Sequence, residues 1–130
     1  MIGLSAVKPL RRPRLWLRVW WLAIALVIVV SLVPPLPLPG SPPGSDKLAH
    51  FLAYFALATS AVQLFAARAP LLRAGVGLVL LGIVLEVAQY LLTSTRMLDP
   101  MDALANTLGV LVGMAVARTP LRDLLLHLDR

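Results

Sequence analysis

The chain has no cysteine among its 130 residues, which excludes disulfides, thiol nucleophiles and thiolate metal sites. Charge is also scarce: 14% of the residues are charged, and 6 Asp and Glu stand against 12 Lys and Arg. A soluble domain of this length could not bury the apolar surface that remains, because 59% of the residues are hydrophobic and the mean hydropathy is +0.86. The composition therefore predicts an all-α, polytopic integral membrane protein.

Motifs of familiar catalytic sites are missing as well. The chain has no Gly-x-Ser-x-Gly elbow and no P-loop lysine pattern. Its net charge of +6 would suit nucleic acid, but the basic residues flank hydrophobic runs and do not interleave with aromatic residues, which make up 6% of the chain. We therefore expect no nucleic-acid partner and no cofactor, and we expect the lipid bilayer to surround the protein.

Four apolar runs are each long enough to cross the membrane as a helix, which takes about 20 residues for about 30 Å of hydrocarbon. The first run also resembles a signal peptide, but the Pro-rich stretch that follows it has no small-x-small cleavage site, which favours a retained helix. The predicted organisation is a basic N-terminal segment (1–14), transmembrane helix 1 (15–33), a Pro-rich outer loop (34–47), a three-helix core (48–117, with apolar runs at 48–67, 71–92 and 101–117) and a basic tail (118–130).

Basic residues are distributed unevenly between the two ends of these four helices. If the N-terminus lies inside, ten of the 12 Lys and Arg fall on inner segments, and only Lys47 and Arg96 fall on outer ones. Such a bias marks the cytoplasmic side of a membrane protein. We therefore predict a multi-pass protein of a bacterial-type cell membrane with four transmembrane helices and both termini cytoplasmic. The sequence leaves its oligomeric state open.

Polar residues interrupt the apolar runs near their outer ends. Within each helix they are spaced by three or four residues, which places them on one face or on adjoining faces. Ionisable groups inside a membrane cost several kcal/mol unless they are paired or hydrated, so they usually face a bundle interior or a watery cavity. The residues are Asp46, Lys47, His50 and Tyr54 in the second run, Glu86 and Gln89 in the third, Arg96 and Asp99 in the loop, and Asp102 and Asn106 in the fourth.

We expect these side chains to form a pocket open to the outer face, which binds an anionic lipid or an envelope-polymer precursor. His50, Glu86 and Asp102 are the candidate catalytic residues, because an imidazole exchanges a proton near neutral pH and a carboxylate can orient it. Arg96 and Lys47 would hold a phosphate or carboxylate. The other candidate binding residues are Asp46, Tyr54, Gln89 and Asn106. The pattern leaves open whether any reaction is catalysed.

Several of these residues also suit plainer roles. Asp99 suits a helix cap, Lys47 suits snorkelling to the head groups, and Asn106 suits an interhelical hydrogen bond. A metal site is the less favoured interpretation, because the cluster offers a single histidine among oxygen ligands. Glu86 with His50 nearby would also suit a small proton-coupled transporter. A cluster that only fixes helix packing would suit a non-catalytic membrane adaptor.

Gly109 and Gly113 form a small-xxx-small pair in the fourth run, which predicts close helix packing. Together with "DKLAHFLAYFALA" and "GIVLEVAQYLLTSTRMLDPMDALANTLGVLVG", they make residues 45–117 resemble the VanZ-like membrane proteins, a family named after a teicoplanin-resistance accessory protein. The resemblance implies a small polytopic protein of the cell envelope, associated in one branch with glycopeptide-antibiotic tolerance. It implies no particular reaction. The residues that match the family pattern are Asp46, Lys47, His50, Tyr54, Glu86, Gln89, Arg96, Asp102, Asn106, Gly109 and Gly113.

Overall fold

The structure, a computed structural model, is all-helical and describes residues 4–33, 40, 44–93 and 99–130. The all-α fold class is thereby confirmed for this part of the chain. The described residues leave out most of the loop at 34–47 and all of residues 94–98. The candidate binding residue Arg96 therefore lies outside them. The α-helices are α1 (Pro13–Leu32), α2 (Ser45–Leu64), α3 (Arg68–Leu92), α4 (Pro100–Ala115) and the short α5 (Leu124–Leu128), and single 3-10 turns cover Leu4–Ala6, Val116–Arg118 and Pro120–Asp123.

The helix ends follow from local sequence. Asp99 caps α4, because its Oδ1 accepts a hydrogen bond from the backbone N–H of Met101 at 2.9 Å, and Pro100 stands in the first turn. The capping role predicted for Asp99 is confirmed. Asp46 lies in the first turn of α2, where a carboxylate stabilises the helix dipole, and α2 accordingly begins at Ser45, before the start expected at residue 48.

Polar contacts show that the four long helices run alternately up and down. The start of α2 meets the start of α4, where Lys47 Nζ lies 2.9 Å from Asp99 Oδ2. The last part of α3 reaches the same place, because the Glu86 carboxylate accepts the Asp99 backbone N–H. The end of α1 joins it through Gln89, whose Nε2 donates to the Ser31 carbonyl at 2.8 Å. We call this the polar end of the bundle.

The opposite end, which we call the basic end, gathers both terminal segments. The first described residues pair with the chain just after α2: the backbone N–H of Lys8 donates to the Leu64 carbonyl at 2.7 Å, and that of Ala66 donates to Ala6 at 3.0 Å. The Gln63 side chain bonds the backbone of the C-terminal segment at two positions. Both segments are therefore fixed to the end of α2.

The closest helix contact joins α2 to α4, the most extensively packed pair. A methyl group added at Gly109 would collide with the backbone carbonyl oxygen of Phe51, and one added at Gly113 would lie 2.7 Å from the Phe55 carbonyl oxygen and from the Ala58 side chain. The close packing predicted from the two glycines is confirmed. It sets the distance between the polar residues of α2 and those of α4.

Much of the apolar helix surface faces outward. In the described part of the chain three helices are long and apolar enough to cross a membrane, Pro13–Leu32, Arg68–Leu92 and Pro100–Arg118, and only 11%, 33% and 22% of their most apolar stretches are buried. This surface needs lipid around it and indicates a multi-pass membrane protein. α2 is as long as α1, but its polar residues make it less apolar than these three, so three of the four predicted spans are supported by length and composition.

A glycine-to-alanine pair tests the contact between α2 and α4. Gly109→Ala should lower the free energy of unfolding by about 1–3 kcal/mol, because the new methyl group meets backbone that cannot rotate away. Gly77→Ala is the matched control: nothing lies within 4 Å of a methyl group there, so the protein should be unchanged or stabilised by up to about 1 kcal/mol. Thermal unfolding in detergent measures both variants, and equal effects would contradict this packing.

Candidate functional site

The polar end brings together the predicted site residues that the structure describes. The first half of α2 supplies four of them, the last part of α3 supplies two, and the start of α4 supplies two. Four of these side chains are almost completely enclosed: Tyr54 is 3% exposed, Glu86 and Gln89 are each 4% exposed, and Asn106 is 5% exposed. Burial of so many polar groups at one end distinguishes it from the apolar centre of the bundle.

Lys47 is surrounded by carboxylates. Its Nζ lies 2.9 Å from Asp99 Oδ2, 3.2 Å from Asp102 Oδ1 and 3.8 Å from Asp46 Oδ2. Lys47 therefore fixes the start of α2 to the start of α4. Its charge is already shared among three acids, which leaves less of it for an external anion than the sequence led us to expect. The Asp46 side chain is 64% exposed and stands at the rim.

The ion pair between Lys47 and Asp99 also affects the protonation of Asp99. The hydrogen bond from the Lys47 ammonium, helped by the backbone N–H of Met101, holds the pKa of the Asp99 carboxyl below its usual value. Asp99 thus stays ionised well into the acid range. It keeps both its partner in α2 and its capping bond at the start of α4.

Glu86 has a backbone partner. Its Oε1 accepts a hydrogen bond from the Asp99 N–H at 2.9 Å. Among the described residues the hydrogen-bond partner of this carboxylate is a peptide N–H. The reason is geometric, since the last part of α3 passes directly beside the start of α4. Glu86 therefore fastens α3 to α4 as Lys47 fastens α2 to α4.

A small cavity lies just below these ion pairs. Its volume is about 10 Å³, and the polar side chains of His50, Tyr54, Glu86, Gln89 and Asn106 line it with Ser31, Gly82 and Leu85. That volume is about the space required by one water molecule. Within the described residues three buried atoms facing this region have no hydrogen-bond partner: His50 Nδ1, Tyr54 Oη and Asn106 Oδ1. The cavity thus has room for about one oxygen atom, and the residues that carry the three atoms line it.

Gly82 lies where α3 packs against the cavity. A methyl group at Gly82 would lie 3.1 Å from Asn106 Cβ, which is a tight contact, and 3.4 Å from Tyr54 Cε2, so the glycine mainly leaves room for Asn106. Sequence reasoning did not assign Gly82 or Ser31 to the site. Gly82 could have been noticed, because it is the one interruption of an apolar run. Ser31 could not, because it contributes only its backbone carbonyl, which every residue has.

The predicted site residues fall into three groups. His50, Tyr54, Glu86, Gln89 and Asn106 line the cavity, whereas Asp46, Lys47 and Asp102 form the charged rim together with Asp99. Arg96 lies outside the described residues. Within the described ranges no three His, Asp or Glu side chains are grouped closely enough to hold a metal ion. The catalytic and binding roles given to these residues stay predictions.

Comparison with known proteins adds no further identification. No family model, no curated protein and no solved structure matches the chain. What the fold and the site define is a small helical protein with three helices that can cross a membrane and a buried polar cluster at one end. The resemblance to VanZ-like proteins stays a prediction.

Replacing Asp99 tests the ion pair through its pH dependence. A carboxyl whose pKa is lowered in the folded state contributes stability above its unfolded pKa of about 3.9, and this contribution is lost as the pH falls through the folded pKa. Asp99→Asn keeps the capping oxygen but removes the charge, so its unfolding temperature should fall less steeply than that of the wild type below about pH 5. In Lys47→Met the unfolding temperature should likewise fall less steeply with falling pH. If the unfolding temperatures of all three proteins fell equally steeply with falling pH, this would contradict the pairing.

Proposed function

We propose that this chain is a four-pass, VanZ-like protein of a bacterial-type cell membrane. We propose further that its polar end binds the hydroxyl-bearing head of an anionic envelope lipid or envelope-polymer precursor. The observation that carries the proposal is the water-sized cavity among α2, α3 and α4, where three buried polar atoms have no hydrogen-bond partner among the described residues. Buried polar groups without partners are costly and are commonly kept for a ligand or a bound water.

The alternating helix directions support four passes. α1 and α3 run the same way along the bundle, and both are apolar enough to span. If both cross the bilayer, the chain must return between them, and α2 is the helix that connects them. Its 20 residues suffice for the crossing. α2 tolerates its polar residues because it is the central helix, with Ala58 and Ala61 fully buried against its neighbours.

The charge distribution supports an orientation with the basic end in the cytoplasm. Ten of the 12 Lys and Arg belong to segments at that end, which is the distribution of a positive-inside protein. The polar end then faces outward, where envelope lipids and polymer precursors are exposed. A ligand reaches it from the outer leaflet.

Single-cysteine variants test the topology without background labelling, because the chain has no cysteine of its own. Ser45→Cys lies at the polar end and Ala67→Cys at the basic end, and both positions are exposed. In intact cells a membrane-impermeant maleimide should label Ser45→Cys, whereas Ala67→Cys should react only after permeabilisation. Labelling of both cysteines from one side would contradict a transmembrane α2, and the reverse pattern would contradict the orientation.

The size of the cavity limits what can enter it. An opening of about 10 Å³ holds one oxygen atom with its hydrogens, so a head group can insert a hydroxyl but not a phosphate. A hydroxyl both donates and accepts, and it can replace a water among His50 Nδ1, Tyr54 Oη and Asn106 Oδ1. Sugars and glycerol carry such hydroxyls. We therefore assign the recognition of a sugar or glycerol hydroxyl to this cavity.

The anionic part of the ligand must be held elsewhere. Near the cavity the described residues supply four carboxylates, those of Asp46, Glu86, Asp99 and Asp102, against the single ammonium of Lys47. An anion would be repelled by that excess unless another cation joined it. In this proposal the cation is Arg96, the other basic residue of the predicted outer segments.

A structural adaptor is the second candidate, because several polar groups satisfy one another. Glu86 bonds the Asp99 backbone, Gln89 bonds the Ser31 carbonyl, and Lys47 bridges two helices. These bonds would fix the helices even without a ligand. Transport has less support, because the core on the basic side of the cavity consists of apolar residues such as Leu57, Leu78 and Val110.

Tyr54→Phe separates ligand binding from packing. The variant keeps the ring beside Gly82 and removes only a hydroxyl that has no hydrogen-bond partner among the described residues, so its stability should match that of the wild type within about 0.5 kcal/mol. Its affinity for a polyprenyl-diphosphate-linked sugar, measured by native mass spectrometry, should fall about fivefold to tenfold. Tyr90→Phe is the control, since Tyr90 is 54% exposed, and it should change neither quantity. Wild-type affinity in Tyr54→Phe would favour the adaptor.

A further inference from the structure

A large groove lies at the basic end, away from the polar cluster. It is formed where the end of α2, the start of α3, the end of α4 and the C-terminal segment meet, and its volume is about 840 Å³. Ligand pockets commonly measure about 300–1,000 Å³, so this groove is large enough for a substantial part of a lipid or a cofactor. Nothing in the proposed function uses it.

The groove carries an excess of positive charge. Four cationic side chains line it, those of Lys8, Arg68, Arg118 and Arg122, against the single carboxylate of Asp123. Asp123 is already paired, with Lys8 at 2.9 Å and with Arg122 at 3.5 Å. In the described part of the chain no carboxylate lies within ion-pair distance of Arg68 or Arg118. Two guanidinium groups are thus left for an external anion, and guanidinium is well suited to phosphate.

The walls of the groove are apolar and continue onto the outside of the bundle. Leu71 and Leu72 of α3 line one side, and Leu111 and Met114 of α4 line the other. Leu72 is 49% exposed and Leu111 is 58% exposed, so the walls lead directly onto the surface that faces lipid. An occupant with an anionic head and an apolar chain fits both parts. A soluble anion would leave the apolar walls uncovered.

The start of α3 adds to this complementarity. The 25-residue helix begins at Arg68 in the groove, and no acidic residue stands in its first turn. Pro70 has no N–H, and the Leu71 N–H donates to the Ala67 carbonyl. The N–H groups of Arg68 and Ala69, which no side chain of the described residues caps, are therefore left for another acceptor. A phosphate oxygen supplies such an acceptor.

We infer that this groove is a binding site for one anionic glycerophospholipid. Its phosphate is held between Arg68 and Arg118 at the start of α3, and an acyl chain runs along Leu72 and Leu111. Basic residues on the cytoplasmic side of a membrane protein are expected in general, but these line a groove with apolar walls between helices, which is the form that lipid-head sites take. The inference is independent of the function proposed for the polar end.

Native mass spectrometry of the full chain, purified in a mild detergent, tests this site. The probes are phosphatidylglycerol and phosphatidylcholine with the same acyl chains. The wild type should bind phosphatidylglycerol about tenfold more tightly, and Arg68→Gln with Arg118→Gln should reduce this preference to about twofold or less. Arg14→Gln with Arg18→Gln is the control, because it removes the same charge from exposed positions of α1 outside the groove and should keep the preference.

Ala115→Trp supplies a second, charge-neutral test. Ala115 is exposed and lines the groove, so the indole fills the space and leaves every arginine in place. The preference for phosphatidylglycerol should again disappear while the unfolding temperature stays close to that of the wild type. Equal binding of the two lipids by the wild type would overturn the inference. So would an equal loss in both double variants, or an undiminished preference in Ala115→Trp.

Discussion

The contact between the α2 backbone and the two glycines of α4 is the constraint on which the rest of the structure depends. Gly109 and Gly113 let α4 approach the carbonyl oxygens of Phe51 and Phe55 more closely than any residue with a side chain would allow. This distance brings Lys47 within reach of Asp99 and Asp102. Wider separation of the helices would leave these charges without their partners.

The two ends of the bundle have opposite chemical character. At the polar end three carboxylates surround the Lys47 ammonium, the Glu86 carboxylate accepts a backbone N–H, and a cavity of about 10 Å³ has room for one oxygen atom. At the basic end a groove of about 840 Å³ is lined by four cationic side chains and one carboxylate, and it opens toward the lipid-facing surface. The two proposals, a hydroxyl bound at the polar end and an anionic lipid head bound at the basic end, rest on this difference. This division follows from charge and volume alone.

The sequence predicted the positions of the polar residues better than their partners. Spacing by three or four residues correctly put Tyr54, Glu86 and Asn106 on inward faces, because helical periodicity determines which face a side chain occupies. It could not predict that Glu86 accepts the Asp99 N–H, since this bond depends on the distance between α3 and α4. It also treated Lys47 as free for an anion, although three carboxylates surround it.

Two other features could not be predicted for related reasons. The lining of the basic groove comes from three regions of the chain, 8–9, 62–72 and 111–126, so no local sequence pattern predicts it. The sequence shows that α2 carries more polar residues than its neighbours, but it does not show the central place in the bundle that lets α2 carry them. The expected role of Arg96 stays a prediction, because it depends on residues outside those described.

The most direct test of the polar cluster is water-edited solid-state NMR of the protein in lipid bilayers, with labelled histidine side chains. The chain has two histidines, and the exposed His127 serves as an internal reference. The His50 imidazole should contact a long-lived water that exchanges with bulk far more slowly than the water around His127. A His50 imidazole without any water contact, or one that exchanges with bulk water as fast as His127, would contradict the enclosed cavity.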